Sequence, residues 1–257
     1  MTLRENIKPI LQKGITPFLS QTKPQQRFAI LHEVLPGQEQ TLQDIIALIE
    51  SRPTMQTQLT FDDGFYSSYQ AIKQMQNQKA IFFVCPEFIN RAESGGWQDF
   101  FHHNLTRKEG LEDTGFADAV RPASWENLRE LVKLGHTIGS HGMKHQCLSK
   151  LISQKELEQE IIGSADLLED KLQVKINCFS NPFGNAQSFD QRALRIIKKR
   201  YQCFFTGIRG NNFGREEDFI KWRDTVHFYW SIDYVEFLLR GGFDWCYFFK
   251  RRHLLDA

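Results

Sequence analysis

The chain of 257 residues has almost no charge of either sign to spare: 32 Lys and Arg against 31 Asp and Glu, for a formal net charge of +1. A phosphate backbone is normally met by a strong basic excess, so nucleic acid is excluded as the expected partner. No run of roughly 18 apolar residues, the length a bilayer demands, is present. The first ten residues carry charges and Pro9 where a secretory leader needs an unbroken apolar stretch, so no exported form is expected. Cysteine is scarce and unpatterned: Cys85, Cys147, Cys178, Cys203 and Cys246 are odd in number and show no CxxC spacing. That argues against a disulfide framework or a structural zinc knot and for reduced thiols in a cytoplasmic setting. There is also no internal repeat and no low-complexity tract.

What is there is an alternation of short apolar strands with amphipathic helices, the pattern of a parallel sheet or barrel wrapped by helices. Strands are expected at Phe28–Leu31, Gln58–Phe61, Ala80–Val84, His136–Gly139, Val174–Phe179 and Gln202–Phe205. Helices are expected from Ser124 to Leu134, with Gly135 just past the end; after the capping box Ser153-Gln-Lys-Glu156; and from near Ser188. Leu157, Ile161, Ile162, Ala165, Leu168 and Leu172 share one helical face, which makes them core. The stretch 93–121, with Gly95-Gly96, His102-His103 and Pro122 beyond it, breaks the rhythm. It reads as a long insertion over one rim, either a lid or binding loop or a solvated excursion.

Two motifs carry chemistry. Thr60-Phe-Asp-Asp-Gly64 places adjacent carboxylates at the end of a strand, where their mutual repulsion calls for a cation. His141-Gly-Met-Lys-His145 places two imidazoles four residues apart at the end of another strand, and imidazole is the commonest nitrogen ligand for zinc. In β/α barrels catalytic groups gather at the carboxyl ends of strands whatever their separation in sequence. One aspartate and two histidines would leave coordination positions open, the mark of a catalytic site rather than a structural one. A third turn, Phe179-Ser-Asn-Pro-Phe-Gly184, could present a backbone N–H to an oxyanion.

Those residues resemble the polysaccharide deacetylases, the NodB-homology domain or carbohydrate esterase family 4. The first family motif, T-F-D-D-G, is matched in full at Thr60–Gly64. The second, H-[ST]-x-x-H, is matched at His141 and His145, with Gly142 where Ser or Thr is usual. Ile30-Leu-His-Glu-Val34 is similar to the family's opening strand, and the likeness spans roughly Phe28 to Asp224. The resemblance implies an α/β fold, a distorted (β/α)7 TIM-like barrel. It implies one catalytic domain over 1–257, with the insertion near 93–121 and a C-terminal extension near 228–257. It makes Asp62 the general base and Asp63, His141 and His145 the ligands of a divalent metal, zinc first, with cobalt, nickel or manganese as alternatives. The oxyanion would be held by the metal and by the N–H of Phe183.

Two departures follow. Ser180 stands where the third motif usually has an arginine, and Arg223, in Lys221-Trp-Arg-Asp-Thr225, is the residue expected to restore that charge. The late L-x-H motif that supplies the family's general acid is missing; His227 is the leading replacement, ahead of His102, His103 and His32. The expected activity is metal-dependent removal of an N-acyl group, acetyl first, from an amino sugar in an oligosaccharide, polysaccharide precursor or glycolipid. A step in lipopolysaccharide O-antigen or capsule synthesis is the expected setting. The alternatives are hydrolysis of another small amide, such as an N-formyl sugar or a ureide, and a carbohydrate-binding relative without turnover. Finally, 241–252 is rich in aromatics and ends Lys250-Arg-Arg252. It reads as core, or as a peripheral contact with an anionic inner-membrane surface bearing a lipid-linked substrate.

Overall fold

The computed structural model describes residues 24–75, 77–105 and 116–255. The N-terminal segment read above for a leader lies outside them, as do residues 106–115 of the insertion.

All sheet pairings are parallel. In sheet order the strands run β7 (Ile220–Lys221), β6 (Cys203–Phe205), β5 (Cys178–Ser180), β4 (Thr137–Ser140), β3 (Ile81–Val84), β2 (Met55–Phe61), β1 (Gln25–Leu31) and β8 (Asp224–Thr225). The two ends of that order are one piece of chain. Phe204 pairs with Ile220, while Ala29 pairs with Asp224 only four residues later. The segment 220–225 therefore bridges β6 to β1 and closes the sheet into a distorted (β/α)7 barrel.

Period-two side-chain alternation divides the strands' residues between two cores. Phe82 and Val84 of β3, Ala29 and Leu31 of β1 and Phe204 of β6 face the surrounding helices in the main cluster. Phe28, Ile81, Phe83 and Phe205 face the lumen and fill it, with Cys178 and Cys203 against them. Phe205 meets Phe28 at 5.0 Å and Phe83 at 5.1 Å between ring centroids. Gly139 in β4 makes room for this plug: a Cβ there would lie 2.5 Å from the Phe83 ring.

The helices are α1 (Glu39–Glu50), α2 (Tyr66–Lys73), α3 (Pro86–Ser94), α4 (Trp125–Lys133), α5 (Gln154–Glu158), α6 (Ser164–Leu172), α7 (Gln191–Arg200), α8 (Ile232–Leu239) and α9 (Phe248–Leu255), with shorter turns between. Ser124 and Ser153 both form capping boxes, the second with Glu156 as its spacing predicts. Helix α7 starts later than expected. Its cap is Asp190, whose carboxylate accepts the N–H groups of Arg192 and Ala193, so Ser188 and Phe189 precede the helix. Strand β5 is shorter than the expected Val174–Phe179. The Glu169 side chain takes the Ile176 N–H, and the Asn177 carbonyl accepts from Gln202 and Cys203, so 174–177 enter without a regular ladder.

The described part of the insertion packs over the rim. Phe100, Phe101 and Val120 join Phe65, Cys85 and Phe88 in a small separate core. All five cysteines are free thiols.

Candidate functional site

A cavity of about 410 Å³ opens at the carboxyl ends of the strands. His32 follows β1, Asp62 and Asp63 follow β2, His141 follows β4, Asn181 and Phe183 follow β5, and Arg223 comes from the closing segment; all line it. Backbone strain collects here. Asp63 (φ 78°), His145 (φ 58°) and Phe183 (φ 65°) are non-glycine residues in the left-handed region, which a fold retains only where the surroundings over-determine it.

Asp63, His141 and His145 converge, with potential ligand atoms all within 4.8 Å of one another. The Nε2 atoms of His141 and His145 lie 3.4 and 3.5 Å from one Asp63 oxygen, Oδ1. That oxygen is buried and has no hydrogen-bond partner. The far ring nitrogens are spoken for: His141 Nδ1 lies 3.0 Å from the Ser180 carbonyl and His145 Nδ1 lies 2.8 Å from the Asn104 carbonyl. A carbonyl only accepts, so each Nδ1 carries the proton and each Nε2 turns a lone pair toward Asp63. Two imidazole lone pairs and an orphaned carboxylate oxygen, all buried, repel one another unless a cation sits among them. The two Nε2–Oδ1 spacings match the roughly 3.4 Å between ligands that share a zinc-type ion through bonds of about 2.0–2.1 Å. The donor set fits a divalent transition metal.

Burial drives the His145 imidazole down to about 4, which keeps it neutral and able to ligate at physiological pH. Burial alone would raise the Asp63 carboxyl, but His141, His145 and His32, when they carry a proton, outweigh it and hold it well below the usual carboxylate range; a cation among the ligands would act in the same sense.

Asp62 is held differently. Arg223 meets it as a fork, NH1 to Oδ1 at 2.7 Å and NH2 to Oδ2 at 2.9 Å. The remaining donors reach Thr60 Oγ1 at 3.2 Å, Ser180 Oγ at 2.6 Å and the Thr206 carbonyl at 3.1 Å, so all five guanidinium N–H groups are used. Beneath it the guanidinium lies 5.2 Å from the centre of the Phe83 ring in the lumen plug. The structure thus brings Arg223, from the far end of the chain, against Asp62, and Ser180 contributes a small hydroxyl that accepts from it. Burial alone would raise the Asp62 carboxyl; Arg223, then His141, hold it below its ordinary value.

The candidate acids lie in different surroundings. His32 lines the cavity, whereas His227 is outside the lining, stacked on Tyr229 at 5.0 Å and edge-on to Trp230 at 4.7 Å. His102 and His103 are also outside it; His103 Nδ1 instead bonds the Asp99 carbonyl. The insertion supplies Phe101 and Leu105 to the wall and, through the Asn104 carbonyl, the orientation of His145. Phe183 is 53% exposed, its ring 4.7 Å from that of His145. Its N–H makes no backbone hydrogen bond among the described residues, which leaves it available to an oxyanion.

Among known proteins, the polysaccharide deacetylase family model matches residues 51–200, more than half the chain. A comparison with curated proteins gives no match. Solved structures with the same fold include the Streptococcus pyogenes deacetylase PplD in complex with acetate, at 15% identity and a TM-score of 0.59, covering 85% of this chain and 99% of that one. IcaB from Ammonifex degensii is 17% identical with a TM-score of 0.57, covering 86% and 97%. The BpsB deacetylase domain from Bordetella bronchiseptica is 18% identical with a TM-score of 0.56, covering 78% and 95%.

Proposed function

The chain belongs to the polysaccharide deacetylase family, hydrolases of N-acetyl amide bonds on carbohydrates, and on that premise we propose that it removes an N-acetyl group from an amino sugar with a divalent metal as cofactor. The observation that carries this reading is the orphaned Asp63 oxygen facing two imidazole lone pairs, beside a carboxylate locked by an arginine fork.

Asp63, His141 and His145 would hold the cation. When bound, it supplies Lewis acidity, polarising the amide carbonyl and making a water more acidic. Asp62 takes the proton from the attacking water, and the Arg223 fork keeps both its oxygens in register for that transfer. As the water oxygen bonds to the carbonyl carbon, the Phe183 N–H donates to the developing oxyanion. His32 delivers a proton to the sugar nitrogen as the C–N bond breaks, and acetate and a free amine leave. We place the acid at His32 because it shares the cavity with both aspartates, while His227 is packed in an aromatic stack outside it.

Acetate release from N-acetylated amino-sugar oligosaccharides should disappear after exhaustive chelation and return on adding zinc or cobalt. Turnover that survives metal removal would overturn this reading, and formate or carbamate release in place of acetate would move it to the other small amides. The acid has its own test. His32→Gln should slow amide hydrolysis by about 10²–10⁴-fold yet spare an activated acetyl ester, whose leaving group needs no proton. His227→Gln should leave both rates near wild type. Equal loss on amide and ester for His32→Gln removes it as the acid.

A finer setting, a lipid-linked precursor of a surface polysaccharide worked on at a membrane surface, rests on the cavity rim. Tyr247 and Lys250 line the cavity, while Trp245 (77% exposed) and Phe249 (80% exposed) from the same segment stand in solvent. Among the described residues no helix is long and apolar enough to cross a membrane, so the contact envisaged is peripheral. Vesicles containing anionic lipid should sediment the protein but not a Trp245→Ser/Phe249→Ser variant that still hydrolyses soluble substrate. No sedimentation of the wild type ends the membrane setting and leaves the chemistry untouched.

A further inference from the structure

We propose that Glu160 is the positioning residue of the metal centre: it holds the turn His141–Gln146 in the shape that aims both imidazoles at Asp63. The proposal rests on the metal reading above.

The turn is difficult to hold. It passes through the left-handed region twice, at Gly142 (φ 79°) and at His145 (φ 58°), and the second is not a glycine. Such a turn has few internal hydrogen bonds to define it and relies on acceptors from elsewhere. Glu160 supplies three of them. Its carboxylate accepts the Lys144 N–H at 2.9 and 3.1 Å and the Gln146 N–H at 2.9 Å. Its backbone carbonyl accepts the Met143 N–H at 3.0 Å.

That carbonyl is free because of a helix defect. Between α5 and α6, Gln159–Gly163 form a π-helical turn. The extra residue in such a turn breaks the regular bonding ladder, and isolated π turns are frequent at functional sites. Here the Ile161 carbonyl accepts from the Tyr201 hydroxyl at 2.6 Å, and the Glu160 carbonyl turns to the metal-site turn. The same wide turn brings Glu160 to 4% exposure, in a run of acidic residues where Glu156 and Glu158 are exposed.

Gly142 completes the fit. A Cβ at that position would lie 2.7 Å from Glu160 Oε1, so the carboxylate occupies the space that a side chain would fill. The departure from Ser or Thr in the second motif and the buried glutamate are thus two halves of one arrangement. Carboxylates that bind backbone N–H groups form stronger, shorter hydrogen bonds than neutral acceptors do. Glutamine at this position keeps the shape but replaces one acceptor oxygen with an amide that points its own hydrogens at the loop donors.

The experiment measures zinc affinity by competition with a chromogenic chelator for the wild type, E160Q, E160A and the exposed-site control E158Q, each with a circular dichroism spectrum and amide exchange at Lys144 and Gln146. E160Q and E160A should bind zinc about 10–100-fold more weakly, the range for residues that orient metal ligands. Both amides should exchange faster, and most of kcat should return at saturating zinc, because no reacting group is lost. E158Q should match the wild type. Zinc affinity and amide protection in E160Q equal to the wild type would overturn the proposal alone. A wild type that binds no zinc would overturn it together with the metal reading. If E160A does not fold, E160Q decides.

Discussion

Replacing Asp62 with asparagine should lower kcat by about 10²–10⁴-fold while zinc stoichiometry stays at the wild-type value. The two aspartates of the first motif are neighbours in sequence, yet their surroundings give them different work. Asp63 presents a buried oxygen without a partner to His141 and His145, whereas both Asp62 oxygens are engaged by the Arg223 fork. A carboxamide in place of the Asp62 carboxylate would keep one oxygen for that fork but could not accept a proton. The companion substitution, Asp63→Asn, should abolish zinc binding itself, which restoring zinc cannot repair. Activity assays together with metal titration separate the two. Equal metal affinity and equal turnover loss in both variants would contradict the division of labour.

Arg223→Ala carries the second large effect, on stability and pH dependence together. Both partners of the Arg223–Asp62 pair are almost fully buried, with side-chain exposures of 1% and 4%. Removing one partner from such a pair typically costs about 3–5 kcal/mol, because the other charge is left without compensation. A drop of that size in the unfolding free energy is expected in a denaturant titration. The sign of the pH effect follows from the forces on Asp62: burial pushes its carboxyl up, and Arg223 is the foremost influence pulling it below its usual value. Without the guanidinium, burial prevails and the carboxyl protonates at higher pH. The acidic limb of the rate profile should therefore move upward in Arg223→Ala. Stability contributed by the depressed carboxyl, present at neutral pH in the wild type and lost as pH falls through its folded value, should shrink as well. An unmoved acidic limb would mean that Arg223 does not set the ionisation of Asp62. Arg223→Lys should recover only part of both effects, since an ammonium cannot reproduce the two-pronged contact.

The barrel and the ligand set are legible in the sequence because each rests on short local patterns. Apolar strands alternating with amphipathic helices define the layers, and two compact motifs sit directly after strands whose ends the fold gathers together. Arg223 can be found for a different reason: a missing arginine at Ser180 forces a search for charge elsewhere. The closing segment can be guessed as a late strand from the need for Arg223, but its own apolar pattern does not mark it as one. Lys221, Arg223 and Asp224 look like surface in one dimension, and only closure of the sheet shows them buried. The choice between His32 and His227 is equally closed to sequence, since each stands just past a strand end. A small difference in where the chain leaves the barrel sends one into the cavity and the other into an aromatic stack. Glu160 is hidden most thoroughly. A glutamate in an acidic helical run reads as solvated, and nothing in local composition announces the π turn that rotates it inward.

The segment 220–225 has a final consequence for how the molecule becomes competent. The residues that stitch the barrel's seam also carry the counter-ion of Asp62, so the closure of the cylinder and the pairing of that carboxylate depend on the same six residues. Without that segment β1 would keep an open edge and Asp62 would be buried without its guanidinium. On the proposed mechanism, competence for hydrolysis requires that segment in place, and a chain whose 220–225 cannot dock should be inert rather than merely slow.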